Sequence, residues 1–269
     1  MEDNKQKIIE IFNKNVKGKT SHTEDMNQRH DGKKGHWLEQ QFLIQANAKN
    51  EADILGYELK NQTTSKTTFG DWSANRYIYY NSPYAHLFKG INKYEKQDSF
   101  CRIFGQYNEK KQRYSWSGKP VPKIDVFNDY GQIMIIEDSL DICIYYSFSK
   151  DKRNNKYDIV PMELQQDNLL LARWFGINSP SNKRCDKSLK YKLEDKFNKK
   201  GWFICKMDAE GKYDSLCFGN PITYDKWIEL VKKGIVFLDS GMYEGNKRPY
   251  SQWRADNKYW DSLIVEIYQ

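Results

Sequence analysis

The chain has 269 residues, enough to bury a substantial core as one large domain or as two lobes. Hydrophobic residues make up 39% and charged residues 29%, with 19 Tyr and 8 Trp, which excludes a compositionally disordered chain and favours an ordered protein containing β-structure. The net charge of +7 suits a polyanionic partner, and five scattered cysteines without a Cys-x-x-Cys pair argue against a zinc knuckle or a disulfide framework.

The N-terminal residues lack an apolar signal core and no run approaches membrane-spanning length, so a soluble, cytoplasmic protein without membrane association is expected. Residues 5–14 read as a short amphipathic helix with Ile8, Ile9 and Phe12 on its packing face. A polar, histidine-bearing stretch then leads into residues 32–42, a glycine-basic loop opening a second helix. Trp37, Leu38, Gln41 and Phe42 fall on helical spacing there, with Glu39 close to that face.

Residues 53–61 read as a turn running into a short buried strand, Asp53-Ile54-Leu55-Gly56-Tyr57-Glu58-Leu59-Lys60. Alternation along a strand puts Glu58 and Lys60 on one side and Tyr57 and Leu59 toward the core. Burying a Glu and a Lys is costly unless the charges have work to do. Asp53 and Glu58 beside an ammonium suit a hard divalent cation such as Mg²⁺, with Lys60 positioning a water for attack on phosphorus. The alternative is an edge strand with a surface salt bridge. Other acid-x-Lys strings, at Asp31, Glu109, Glu194, Glu210 and Asp256, lie in hydrophilic surroundings and read as solvated faces.

Beyond the strand, Ser65, Lys66, Thr67 and Thr68 either bond phosphate oxygens or form an ordinary Thr-rich turn. Residues 74–95 are expected to be helical after Pro83, packing Tyr84, Leu87, Phe88 and Ile91. Strands are expected over 99–107, 120–127, 131–136 and 140–148, with an aromatic-basic hairpin arm at 113–119. The charged turn 149–157 and Pro161 suggest a boundary between a lobe 1–160 and a lobe 161–269. The spacing of Leu164, Leu169, Leu170 and Trp174 predicts a helix over 163–175. Residues 182–200 are the densest basic segment, which either tracks a DNA backbone or is a solvated helix face. Paired strands (202–207, 213–218), a helix (223–233), a buried strand (235–239), a long polar loop (240–254) and a closing strand (262–268) complete the chain.

The string Lys34-Gly35, Glu39, Asp53 and Glu58-Leu59-Lys60 resembles the MutH-like branch of the PD-(D/E)xK nucleases. This branch comprises the mismatch-repair nicking endonuclease MutH and the MvaI/BcnI type II restriction endonucleases. The resemblance is firm over 32–60, looser over 100–148 and 200–269, and absent between them. It implies an α/β fold, a mixed sheet flanked by helices, with catalytic and DNA-recognition lobes around a DNA cleft. It also implies Mg²⁺ as cofactor, Asp53 and Glu58 as metal ligands, Lys60 as the catalytic lysine and Glu39 as a supporting helix carboxylate. The expected partner is double-stranded DNA. Lys34, His36, Lys66 and Thr67 would touch it near the catalytic strand. The late loop matches in position a base-reading segment of the MvaI-type enzymes, and Tyr243, Asn246, Lys247, Arg248, Tyr250, Gln252 and Arg254 would read there. The short gap from Asp53 to Glu58 is more like MvaI than MutH. That tilts the expectation toward a type II restriction endonuclease, and the resemblance to the MvaI/BcnI enzymes then implies a monomer acting on a CC-N-GG type of site by metal-activated water attack, with a companion DNA methyltransferase expected genetically. The alternatives are a MutH-like strand-nicking repair endonuclease and a non-catalytic DNA-binding module.

Overall fold

The computed structural model describes residues 4–21, 32–45, 49–61, 64–80 and 82–269. In chain order the first elements are α1 (Asn4–Asn15), α2 (Lys33–Gln41), β1 (Tyr57–Lys60), β2 (Lys66–Asp71) and β3 (Arg76–Tyr77). Then come α3 (Lys93–Phe104), β4 (Gln106–Asn108), β5 (Arg113–Trp116), β6 (Tyr130–Ile136), β7 (Ile142–Asp151), α4 (Lys156–Ile159) and β8 (Leu169–Trp174). The remainder holds α5 (Leu189–Phe197), β9 (Gly201–Met207), β10 (Tyr213–Gly219), α6 (Tyr224–Lys232), β11 (Phe237–Ser240) and β12 (Met242–Tyr243). It closes with β13 (Ser251–Asp256), α7 (Asn257–Ser262) and β14 (Ile264–Tyr268).

Two compact units divide the chain: Met1–Thr68, Lys192–Tyr224 and Ala255–Gln269 form the first, Phe69–Tyr191 and Asp225–Arg254 the second. This differs from a single cut near residue 160. The boundaries fall inside β2, α5, α6 and β13. No composition shift marks a boundary inside a regular element. The charged stretch from 149 is not one, since β7 continues through it to Asp151.

In the first unit four strands run in the order β1-β9-β10-β14, with β1 parallel to β9 and the other pairs antiparallel. Apolar side chains at helical spacing on α1 (Ile8, Ile9, Phe12) and around α2 (Trp37, Leu38, Phe42) are driven onto one face of this sheet. They meet Tyr57, Leu59, Phe203, Cys205, Leu216 and Phe218 there. That packing fixes which way β1 faces: Tyr57 and Leu59 enter this core, so Glu58 and Lys60 point to the opposite side.

In the second unit an antiparallel sheet runs β3-β8-β7-β6 and a smaller one runs β12-β5-β4. Its core is aromatic: the Trp253 ring lies 5.6 Å from Trp174 and 5.3 Å from Trp227.

Several expected elements are revised here. Of the strand expected over 99–107 only Gln106 and Tyr107 belong to one, β4, because α3 runs on to Phe104. Asn92 caps its N-terminus by accepting from the Tyr94 and Glu95 amides, and Phe100, Cys101 and Phe104 share a buried face. Ile91, expected in a packed face, precedes that cap and is 97% exposed. Residues 120–127 make only isolated bridges, Lys123 to Val126 and Ile124 to Met134. The helix expected over 163–175 is a short 3-10 turn (Met162–Leu164) followed by β8. Asn168 takes a left-handed φ of 59°, which breaks helical continuation, and β7 supplies an antiparallel partner for the apolar run after it. The long loop 240–254 contains β12 and the first residues of β13.

Candidate active site

A two-residue turn delivers β1. Leu55 and Gly56 both adopt positive φ, 51° and 88°, and Ile54 and Tyr57 exchange backbone hydrogen bonds across them at 3.0 and 2.8 Å. Positive φ at the second position favours glycine, and a Cβ on Gly56 would also press the Lys200 side chain at 3.2 Å. The turn carries Asp53 back alongside the strand, where its Oδ2 accepts the Leu59 amide at 2.9 Å. Because β1 is an edge strand, this bond occupies a backbone donor on the side away from β9.

Glu58 is 2% exposed and Lys60 6%. The Lys60 ammonium donates to Glu58 Oε1 at 2.8 Å and lies 4.9 Å from the centre of the Phe197 ring. A second ammonium, that of Lys196 on α5, donates to the same Oε1 at 2.7 Å. The other oxygen, Oε2, is buried and has no hydrogen-bond partner among the described residues.

These contacts set the charges. Burial, followed by the nearby Glu58 carboxylate, pushes the Asp53 carboxyl up to about 7. Burial also works to raise Glu58, but Lys60 and Lys196 outweigh it and hold the carboxyl below its ordinary value. Burial lowers Lys60, against the pull of Glu58. Lys196 ends above its ordinary value because Glu58 and Asp53 overcome its own desolvation. The result is one firmly ionised carboxylate beside a second whose charge is disfavoured until more positive charge arrives.

A divalent cation fits this arrangement. An ionised carboxylate with an unpartnered buried oxygen, next to a carboxyl destabilised by a like charge, is a hard oxygen donor set. Among the described residues no cluster of three or more His, Cys, Asp or Glu side chains surrounds them. Glu39 therefore does not complete a carboxylate trio. Its Oε2 lies 3.1 Å from His36 Nδ1, and its charge acts on Lys196.

The other sequence-selected residues divide. Lys34 and His36 are exposed and Lys66 is half-buried. Thr67, expected to touch phosphate, is buried, and its hydroxyl donates to Asn257 Oδ1 at 2.9 Å, a contact that holds β2 to the start of α7. In the second unit, Tyr243 pairs with Ser115 on β5, and the Arg113 guanidinium stacks 3.3 Å from its ring centre. Asn246 builds its own turn, accepting the Arg248 amide at Oδ1 and donating to the Gly241 carbonyl, so its side chain is engaged within the segment. Three side chains of α3 brace the turn: Gln97 donates to the Asn246 carbonyl, Asp98 accepts the Gly245 amide, and Arg102 donates to Glu244. Lys247, Arg248 and Tyr250 are exposed. Gln252 and Arg254 sit on β13 rather than on a loop, and Arg254 donates to Asp239 Oδ2 at 2.8 Å.

Sequence reasoning does not single out Lys196, although it lies in the basic run 182–200. The signal that could have found it is periodicity. Leu189, Leu193 and Phe197 form the buried stripe of α5, and Lys196, seven residues after Leu189 and three after Leu193, falls on that stripe.

The chain is similar to known restriction endonucleases. A sequence profile of the LlaMI restriction endonucleases matches residues 16–268. The type II restriction enzyme ScrFI of Lactococcus lactis subsp. cremoris is 60% identical over 271 residues, covering 100% of both chains. Among solved structures, the complex of restriction endonuclease MvaI with its cognate DNA superposes with a TM-score of 0.57 at 14% identity, covering 100% of this chain and 98% of that one. MvaI in the absence of DNA gives a TM-score of 0.42 at 13% identity. The first superposition places the fold in the PD-(D/E)xK type, an α/β arrangement of sheets flanked by helices.

Proposed function

The chain belongs to the LlaMI restriction endonuclease family, and on that premise we propose that it is a Mg²⁺-dependent type II enzyme cutting duplex DNA at a short site of CC-N-GG type. Family membership carries restriction endonuclease activity; the ion, the site sequence and the residue roles are proposals. One observation supports the roles above all others. Glu58 is buried, tied through Oε1 to two ammonium groups, and left with an unpartnered Oε2 beside Asp53.

In this reading Asp53 and Glu58 hold Mg²⁺, which would supply positive charge to offset the charge that builds on the phosphate during attack. Lys60 lies on the same side of β1 as Glu58, and its ammonium positions the attacking water or steadies a phosphate oxygen. The Leu59 amide keeps the Asp53 carboxylate turned toward Glu58. Glu39 supports the site through its charge on Lys196. Lys34, His36 and Lys66 contact the DNA backbone, and the 243–254 segment reads bases, chiefly through Lys247, Arg248, Gln252 and Arg254.

The protein is proposed to act as a monomer beside a separately encoded DNA methyltransferase. No helix among the described residues is long and apolar enough to cross a membrane, and the cytoplasm is the proposed location.

Digestion of supercoiled plasmid with Mg²⁺, against EDTA, tests the proposal. Discrete fragments in Mg²⁺ and intact plasmid in EDTA are expected. Nicked circles alone would instead favour a strand-nicking repair role, and binding without cleavage a non-catalytic module.

A further inference from the structure

Glu58 has two cationic partners where a single buried ion pair needs one. Lys60 and Lys196 both donate to Oε1, at 2.8 and 2.7 Å, and neither reaches Oε2. The partners differ in origin. Lys60 is two residues away on the same strand, whereas Lys196 comes from α5, 138 residues further along the chain. The Lys196 side chain is 19% exposed and that of Glu58 2%, so the contact is largely desolvated.

This double pairing resolves a conflict in the role given to Lys60. An ammonium that serves the reacting phosphate has to leave Glu58, and a buried carboxylate that loses its partner is strongly destabilised. With Lys196 in place, Glu58 keeps a hydrogen-bonded counter-charge while Lys60 moves. Because Lys196 grips Oε1, it also fixes the carboxylate rotamer with Oε2 turned away from both lysines. Lys196 is itself fixed by helix packing, one residue before Phe197 and three after Leu193, both fully buried.

We propose that Lys196 is a positioning residue of the nuclease site. It anchors Glu58 through Oε1, presents Oε2 to the metal and frees Lys60 for the reacting groups. The inference rests on the nuclease reading above.

The test uses the full-length protein carrying Lys196→Met, which removes the charge, or Lys196→Arg, which keeps it. For Lys196→Met, single-turnover cleavage at saturating Mg²⁺ should fall about 10–100-fold, the usual cost of losing a group that orients a metal ligand. Affinity for cognate duplex in Ca²⁺ should be unchanged, and Lys196→Arg should recover most of the rate. Melting supplies a readout without catalysis. The loss of melting temperature in Lys196→Met should be largest in EDTA, where Lys196 is needed to counter Glu58, and should shrink when Mg²⁺ is added. A residue that only packs would show the same loss in both.

Should Lys196→Met fail to fold, Lys196→Gln keeps a donor to Oε1 without the charge, and the same measurements decide. Wild-type cleavage by the uncharged variant, a loss residing wholly in DNA affinity, or a melting deficit indifferent to Mg²⁺ would each overturn the proposal. If the wild-type protein itself cut nothing in Mg²⁺, the nuclease reading would fall instead, so the two failures are distinguishable.

Discussion

The strand that carries Glu58 and the segment 240–254 hold their charges in opposite ways. On β1 and in the turn before it the charged groups are buried or half-buried, and the protein supplies partners for them: Lys60 and Lys196 on Glu58, the Leu59 amide on Asp53. In the later segment Lys247 and Arg248 stand in solvent, and the backbone beneath them is what the protein secures, through Gln97, Asp98 and Arg102 of α3. The difference fits the two tasks proposed for them. Stabilising charge on a reacting phosphate needs ions already oriented in a desolvated setting. Reading base edges needs side chains that exchange water for DNA, on a backbone held in register. Substitutions at β1 should therefore act on rate and stability, and those in the later segment on discrimination.

The largest effects should come from Glu58 and Lys60. Both Glu58→Ala and Lys60→Ala should abolish cleavage while cognate DNA is still bound in Ca²⁺. Their stabilities should differ. Glu58→Ala leaves the buried Lys60 ammonium and the half-buried Lys196 ammonium without their carboxylate, and breaking a buried pair in this way costs up to about 3–5 kcal/mol. Lys60→Ala leaves Glu58 still paired with Lys196, so its cost should be smaller. Denaturant melts of the two variants in EDTA check the order. Equal stability would mean that Lys196 does not hold Glu58.

Asp53 gives the next effect, a dependence on pH. Its carboxyl lies at about 7 in the folded protein against an ordinary 3.8. The folded state therefore holds this proton more tightly than the unfolded chain does. The contribution of Asp53 to stability is full below about 3.8 and is lost progressively as pH rises through about 7. In EDTA, wild type should lose more melting temperature than Asp53→Asn between pH 5.5 and 8, because the amide cannot ionise. Mg²⁺ should reverse the trend in wild type, since the ion favours the ionised carboxyl. Parallel pH profiles in EDTA for the two proteins would show that Asp53 titrates normally.

The β1 side of the comparison is legible in sequence because local rules agree there. Strand alternation, a glycine turn and an amphipathic helix place Asp53, Glu58 and Lys60 without distant information, and the structure keeps all three together. Lys196 is hidden for the opposite reason. Among eight basic residues between 182 and 200, its burial depends on α5 packing against the strand, a tertiary event. The later segment misleads in another way. Gly, Asn, Pro and Ser suggest a loop through 254, yet Ser251, Trp253 and Ala255 alternate as buried positions and β11 supplies a partner. Leu169–Trp174 reads as helix because its apolar spacing fits either period, and the strand partners β7 and β3 decide between them.

Glu39 tests the edge of the buried site. Its side chain is 41% exposed and bonded to His36, so removing it should barely change melting. Its charge nevertheless acts on Lys196, and through Lys196 on Glu58. Glu39→Ala should thus lower the cleavage rate, by less than Lys196→Met, with near wild-type stability. An unchanged rate would reduce Glu39 to a surface glutamate.

The smallest effects separate reading from general attraction, and here Arg248 and Arg254 no longer form an equivalent pair. Arg248 is exposed, its amide fixed by Asn246, so its guanidinium has no protein partner to give up among the described residues. Arg254 is bonded to Asp239 on the neighbouring strand, an arrangement that orients the guanidinium but must be shared or broken when a base is read. Arg248→Ala should cost about 1–3 kcal/mol on the cognate duplex and little on scrambled DNA, without changing stability. Arg254→Ala should show a similar loss on cognate DNA together with a lower melting temperature, because Asp239 is left unpaired. Lys187 and Lys190, in the basic run, should behave otherwise. Alanine there should weaken both duplexes alike and lower the slope of log affinity against log salt by about one for each phosphate no longer neutralised. Competition binding on cognate and scrambled duplexes at two salt concentrations separates these outcomes. Equal losses on both duplexes for Arg248→Ala would move base reading out of the segment braced by α3, and with it the contrast between a buried site for chemistry and an exposed one for sequence.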